Sequence, residues 1–261
     1  MSGAILTRSK ASAIEQFASM LIERLPIVTS TNTVALERVG TDALLPDWIL
    51  ADEQTFGRGR HGRNWRSPPG NLYVTRLILS CVPIEYLSGL AFVAALSIHD
   101  VVSSILDDKM TPLVRLKWPN DLLVDGKKLS GVLIETENVG VKRAIAVGMG
   151  VNICSCPSDG ATCINALAST ATRDELFASL AIAFERWRTR WDEGNGFGDI
   201  RIAWLKRGPP LGAPVTVRCS DAIKSGRFAG LASDGALLLE LGNGRTVHIA
   251  AGEVLAEGDA R

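Results

Sequence analysis

The chain reads as an α+β protein: a mixed, mostly antiparallel sheet with packed helices, followed by a small SH3-like β-barrel. Three observations carry this. Runs rich in β-branched and aromatic residues at 71–82, 129–136 and 143–152 have strand character, and Asp125-Gly126 favours the type I′ turn of a hairpin. Apolar stripes at helical spacing run through 88–106 and 172–191. Gly-Pro-Pro-Leu-Gly-Ala-Pro at 208–214 then interrupts both patterns, and closely spaced short strands follow it. With 261 residues, 46% of them apolar, the chain is long enough to bury one large core and one small one. The expected division is an N-terminal helical segment at 1–25, a central domain at 26–208 and the barrel at 209–261.

In order, Ile14, Phe17, Ala18, Leu21 and Ile22 form a stripe that predicts a helix over 11–25. Residues 26–29 read as a strand, after which a hydroxyl of Ser30 or Thr31 caps a helix through Val39. Residues 48–51 form a buried strand. Ser88 caps the helix that ends near Leu106, and short strands at 115–118 and 121–124 lead into the Asp125-Gly126 turn. On the strands beyond it, Gly131, Gly148 and Gly150 leave room for a ligand or another backbone. Thr172-x-x-Glu175 is a capping box, and Leu176, Leu180, Phe184 and Trp187 give the helix of 172–191 its core stripe. A short helix at 199–207 precedes the linker. The barrel strands are 215–219, 226–231, 236–241 and 246–250, with turns at Asp234-Gly235 and Gly242-Asn243-Gly244.

The formal net charge is zero, which argues against bulk electrostatic binding of nucleic acid. No apolar run looks long enough to span a bilayer, and the N-terminus lacks the pattern of a signal peptide, so a cytoplasmic protein is expected. Five cysteines, at 81, 154, 156, 163 and 219, fit a reducing compartment. Cys154, Cys156 and Cys163 lack a second His/Cys pair, because His61, His99 and His248 lie far off, so no protein-held metal is expected. His99, inside an apolar helix, reads as a packed residue.

The most informative stretch is Gln-Thr-Phe-Gly-Arg-Gly-Arg-His-Gly-Arg-Asn-Trp at 54–65. Gly57, Gly59 and Gly62 free the backbone for close approach, while Arg58, Arg60 and Arg63 supply donor forks for phosphate or carboxylate. Phe56 and Trp65 bracket the run with apolar rings that a merely solvated loop would not need. The glycines also match G-x-G-x-x-G, but Arg-Ser-Pro-Pro-Gly follows where a dinucleotide site needs a helix. The loop is expected to be mobile when empty and ordered by its ligand.

Together with Lys-Trp-Pro-Asn-Asp at 117–121 and Gly-Lys-Lys-Leu-Ser-Gly at 126–131, this loop resembles the biotin protein ligases. The resemblance extends to Ser30-Thr31-Asn32, to Gly-Met-Gly-Val-Asn at 148–152 and to Gly252-Glu253-Val254, and covers residues 26–256. It implies a class II synthetase-like catalytic domain, and a monofunctional ligase without the DNA-binding domain of bifunctional members. ATP would activate biotin as biotinyl-5′-AMP, and the ε-amine of a lysine on a biotin carboxyl carrier protein domain would then displace AMP.

The resemblance assigns the ureido ring of biotin to Ser30, Thr31 and Asn32, with Gln54, Gly57, Arg58, Gly59 and Gly131 as further biotin contacts. Lys128 bridges carboxylate and α-phosphate, and Arg60 folds over the intermediate. Arg63 and Trp65 hold the phosphate and adenine side, and Lys117, Asn120, Asp121 and Asn152 complete the nucleotide site. Mg²⁺ rides on the phosphates. Lys127 reads as a solvated turn residue. His61 stands where many members carry another arginine, one permanent charge fewer. No serine, cysteine or histidine nucleophile is needed.

The expected partners are the carrier domain, with neither nucleic acid nor membrane, and a monomer or weak homodimer. A lipoate or octanoate ligase is the alternative within enzymes, although its Arg-Arg-x-Ser-Gly-Gly-Gly loop is absent. A biotin-binding regulator without turnover is disfavoured by the joint presence of Arg60, Lys117 and Lys128, and a nucleic-acid module by the zero charge.

Overall fold

Alternation along the strands sorts the apolar residues onto two faces of one sheet. In the computed structural model, which describes residues 15, 17–41, 44–156, 160–167, 169–220 and 222–255, that sheet has seven strands. They are β1 (Ile22–Val28), β2 (Trp48–Gln54), β3 (Leu72–Ser80), β4 (Val114–Lys117), β5 (Asp121–Val124), β6 (Lys127–Val139) and β7 (Lys142–Val151), in the order β1-β2-β3-β7-β6-β5-β4. Only β1 and β2 are parallel; the other neighbours are antiparallel.

Trp48, Leu50, Leu72, Val74, Met149 and Val151 point into the large core under helices α2 (Ser88–Ile105), α3 (Arg173–Trp191) and α4 (Phe197–Leu205). Their alternates Ile49, Ala51, Leu77, Ala144 and Ala146 meet Val34 and Ala35 of α1 (Thr31–Val39) on the opposite face. Helix α1 is nine residues long and covers only part of that face. The remainder, over Gly131 and Gly150, stays open for a site.

The sequence reading needs four corrections. The expected helix of 11–25 gives way to strand at Ile22, so residues 22–25 belong to the central sheet; residues 11–14 and 16 of it lie outside the described ones. A parallel pairing with β2 decides this, and Pro26 is tolerated because β1 is an edge strand whose missing N–H breaks no ladder. Ser30 occupies the N-cap of α1, yet its side chain makes no capping bond. Ser88 is the first residue of α2 rather than its cap, since a 3₁₀ turn at Ile84–Tyr86 already leads the chain in. Finally, the stretch Ile84–Ile105 is long and apolar enough by composition to cross a membrane. Its Leu90, Val93, Leu96 and Ile98 are instead buried in the core of this fold.

Two local signals hold without change. Asp125 and Gly126 have φ of 49° and 72°, the paired left-handed residues of a type I′ turn. Thr172 and Glu175 exchange their capping-box bonds, with the Thr172 N–H 2.9 Å from Glu175 Oε2.

The C-terminal unit is a five-stranded antiparallel sheet of β8 (Pro214–Arg218), β9 (Ile223–Leu231), β10 (Leu237–Glu240), β11 (Thr246–Ile249) and β12 (Glu253–Val254), ordered β11-β10-β9-β8-β12. The two-residue β12 is too short to leave an alternation pattern in the sequence. This unit leans on the larger core: the Trp204 and Phe228 rings lie 6.3 Å apart, and the Trp118 indole donates to the Gly235 carbonyl at 3.0 Å.

Candidate active site

On the open half of the sheet lies a cavity of about 280 Å³. Every residue the sequence assigned to a ligand lines it except Gly57. A Cβ on Gly57 would stand 2.3 Å from the Trp65 carbonyl oxygen, so that glycine lets the arginine loop fold against itself.

One end of the cavity is polar and uncharged. Thr31 donates its N–H to Gln54 Oε1 at 2.9 Å, and Gln54 Nε2 donates to Ser67 Oγ at 2.9 Å. Asn32 donates to the Leu133 carbonyl at 3.2 Å and to Glu135 Oε2 at 2.8 Å, and accepts from the Thr75 hydroxyl at 2.7 Å. Ser30 is 4% exposed, and its hydroxyl has no partner among the described residues. It is a free donor at this end. Arg58, which also lines the cavity, has its guanidinium forked onto Glu135 at 3.0–3.3 Å and donates to Thr33 Oγ1 at 3.0 Å.

The other end is charged, with Arg60, Arg63, Lys117 and Lys128 set about the carboxylates of Asp121 and Glu253. Lys128 Nζ lies 2.7 Å from Asp121 Oδ1 and over the Trp65 ring, 5.3 Å from its centroid. Lys117 Nζ sits 3.7 Å from the other oxygen of Asp121. Arg60 donates to the Gly252 carbonyl at 3.0 Å, and Arg63 pairs with Glu253 at 2.5 Å, so the loop is tied to the C-terminal unit. Burial pulls the Arg60 guanidinium below its ordinary value while Asp121 pulls it back up, and it stays protonated at any working pH. Burial pushes the Glu253 carboxyl up, but Arg63, Lys117 and Arg218 prevail and hold it below the ordinary carboxylate value.

The loop is a closed hairpin, not an open excursion. Gly59 N–H meets the Arg63 carbonyl at 2.7 Å, Trp65 N–H meets the Gly57 carbonyl at 2.9 Å, and His61 and Gly62 turn the tip at φ of 57° and 70°. Phe56 is 73% exposed, so it does not bracket the loop as Trp65 does. Trp65 lies across the sheet, where a Cβ on Gly150 would come 2.7 Å from its Nε1 and one on Gly131 would come 3.4 Å from its ring. Gly148 makes room for Asn32 in the same way, at 2.4 Å from Oδ1. The three small residues thus admit protein side chains.

Asn152 is 1% exposed, gives its amide N–H to the Thr162 carbonyl at 3.1 Å and keeps Oδ1 without a partner among the described residues. A buried acceptor without a partner is uncommon, and Asn152 lines the cavity. Asn120 spends its amide N–H on the Val132 carbonyl, leaving its carbonyl oxygen for a ligand. Among the described residues no three of His, Cys, Asp or Glu gather as a metal site. Cys154 and Cys156 are exposed, Cys163 is buried, and all five cysteines are free.

Sequence reasoning left Thr75, Glu135, Glu253, Tyr73 and Arg66 without roles. Tyr73 lines the cavity, donates to the Pro68 carbonyl at 2.8 Å and has its phenol pushed up to about 12 by burial. Arg66 lies on the rim with no partner among the described residues. Glu135 shares the strand parity of Gly131, and that alternation was the signal available for it.

Comparison with known proteins agrees with this geometry. Residues 25–152 match the biotin/lipoate A/B protein ligase family and residues 211–255 the biotin protein ligase C-terminal domain. A biotin–[acetyl-CoA-carboxylase] ligase of Paracoccus denitrificans is 38% identical over 81% of this chain and 90% of its own length. One of Mycobacterium tuberculosis is 29% identical over 87% of this chain and 85% of its own. The biotin protein ligase of Aquifex aeolicus in complex with biotin and ATP superposes with a TM-score of 0.73 at 26% identity, covering 90% of this chain and 97% of that one. The chain belongs to the biotin protein ligases.

Proposed function

We infer that this protein is an ATP-dependent ligase that forms biotinyl-5′-AMP and transfers biotin to a lysine of a biotin carboxyl carrier domain. The observation that carries the reading is a cavity with two chemically distinct ends. A hydrogen-bonded seat around Ser30 and Asn32 suits a neutral cyclic urea, and four cations, Arg60, Arg63, Lys117 and Lys128, suit a carboxylate brought against a triphosphate.

Those two reactants repel each other in water. Preorganised cations reduce that repulsion as negative charge gathers at the α-phosphate, usually the largest contribution such a site makes. Lys128 would bridge the carboxylate and the α-phosphate by exchanging Asp121, now 2.7 Å away, for the substrate oxygens. The carboxylate oxygen bonds to the α-phosphorus, and the bond to pyrophosphate breaks with its electron pair. In the second half, the neutral acceptor amine bonds to the acyl carbon, the bond to the AMP oxygen breaks with its electron pair, and the proton lost by the amine passes to water. Arg60 and Arg63, anchored to Gly252 and Glu253, keep the loop over the mixed anhydride and limit its hydrolysis.

Asp121 and Glu253, the carboxylates lining this end, are already ion-paired. The residues present therefore fit a Mg²⁺ carried on the phosphates, which would neutralise phosphate charge and which Asp121 could help to hold. We further propose a reducing, cytoplasmic setting, which the five free thiols support, and a monomer or weak homodimer that binds neither membrane nor nucleic acid.

The test is release of pyrophosphate from ATP and Mg²⁺ with biotin or lipoate, followed by transfer to a carrier domain. Biotin-dependent release with subsequent labelling is expected. Release with lipoate alone would mean the same chemistry on another acid, and tight biotin binding without release would mean a sensor.

A further inference from the structure

Glu135 lies on β6 beyond the cavity wall, on the face shared with Gly131 and Leu133, and touches no part of the cavity. Its carboxylate accepts from Asn32 Nδ2 at 2.8 Å and from the Arg58 fork at 3.0, 3.1 and 3.3 Å. Asn32 begins the first turn of α1 and Arg58 begins the arginine loop. One carboxylate therefore joins the two segments that border the uncharged end of the cavity.

The consequence for Asn32 follows from counting donors. Both of its Nδ2 hydrogens are committed, to Leu133 O and Glu135 Oε2. The Thr75 hydroxyl has one proton; Asn32 Oδ1 can only accept, so Thr75 donates there and the Thr31 hydroxyl, 2.8 Å away, faces the Thr75 oxygen. With the amide flipped, its oxygen would confront a carbonyl and a carboxylate. Glu135 thus permits one orientation only, in which the amide atom of Asn32 left with spare hydrogen-bonding capacity is the acceptor Oδ1. That group welcomes an N–H and rejects a carbonyl.

We propose that Glu135 is a positioning residue for recognition of the cyclic urea, locking the amide of Asn32 and coupling that lock to the arginine loop through Arg58. The inference rests on the biotin reading above and adds to it the residue that sets the sense of the hydrogen bond. A carboxylate is required because it accepts on both oxygens; a glutamine would turn an NH₂ towards the donors of Arg58 or Asn32.

The experiment compares the full-length protein with E135Q, E135D, N32A and N32A/E135Q by biotin-dependent pyrophosphate release. In E135Q the KM for biotin rises by about tenfold or more, the scale of one charged hydrogen bond lost, while kcat and the KM for ATP stay near wild type. E135D, which keeps the charge on a shorter stem, recovers part of the KM. The double variant is no worse than N32A alone. Trypsin, cutting at Arg58, Arg60, Arg63 or Arg66, is resisted by wild type at saturating biotin and not by E135Q at the same concentration. An unshifted KM in E135Q, or fully additive losses in the double variant, overturns the proposal. If E135Q fails to fold, the KM of E135D decides alone, a wild-type value overturning it. Wild type that releases no pyrophosphate with biotin overturns the ligase reading, and this inference with it.

Discussion

The two ends of the cavity are built on opposite plans. At the uncharged end Thr31, Asn32 and Gln54 are held in place by protein partners, and Gly148 is small so that Asn32 can sit where it does. At the charged end Lys128, Lys117 and Arg63 are held by carboxylates and Arg60 by a carbonyl, partners that an incoming anion can replace. The first end is rigid before a ligand arrives, and its selectivity resides in geometry. The second is a set of exchangeable ion pairs, and its strength resides in charge that stays put while partners change.

Breaking the charged end has the largest expected effect. Lys128→Ala should lower the rate of biotin-dependent pyrophosphate release by about a hundredfold to a thousandfold, with little loss of stability because this lysine is partly exposed; single-turnover rates and thermal unfolding measure the two. Gly148→Ala sharpens the contrast from the rigid side. Its Cβ would stand 2.4 Å from Asn32 Oδ1, so the variant should lose about 1–3 kcal/mol in denaturant unfolding, as overpacked sites do, and raise the KM for biotin more than that for ATP. Glu253→Gln should act least. The ion pair it removes is largely exposed on the Arg63 side, worth no more than about 1 kcal/mol, and its signature is faster hydrogen exchange at the Gly59 and Arg63 amides.

The same contact has a defined pH dependence. The carboxyl of Glu253 lies below its ordinary 4.5 in the folded protein. A depressed acid stabilises above its unfolded value and loses that contribution as pH falls through the folded one. Protection of the loop amides in wild type should therefore persist at the ordinary carboxylate value and fall only below it, whereas Glu253→Gln should show no such step.

What was legible in the sequence was local. Asp125-Gly126 fixes its turn because two adjacent residues must both take positive φ, and Thr172 with Glu175 fixes a helix start within one turn. The residues that the sequence assigned to a ligand were legible as motifs, and all but Gly57 line one cavity. What escaped depends on partners far away in the chain. Glu135 finds Asn32 across 103 positions and Glu253 finds Arg63 across 190, so neither carboxylate announces its role to its neighbours. The helix expected over 11–25 failed for the same reason, since Ile22 to Leu25 are strand only because β2 lies alongside.

The indole of Trp118 donates to the carbonyl of Gly235, bolting the Lys-Trp-Pro-Asn turn to the C-terminal unit at the place where Lys117 and Asn120 meet the cavity. Thermodynamic reciprocity gives this bolt a second meaning. If detaching the C-terminal unit loosens the turn and weakens nucleotide binding, bound nucleotide must oppose the detachment by the same free energy. The last fifty residues are then a sensor of occupancy as well as a support, coming away more readily from the empty enzyme than from the loaded one.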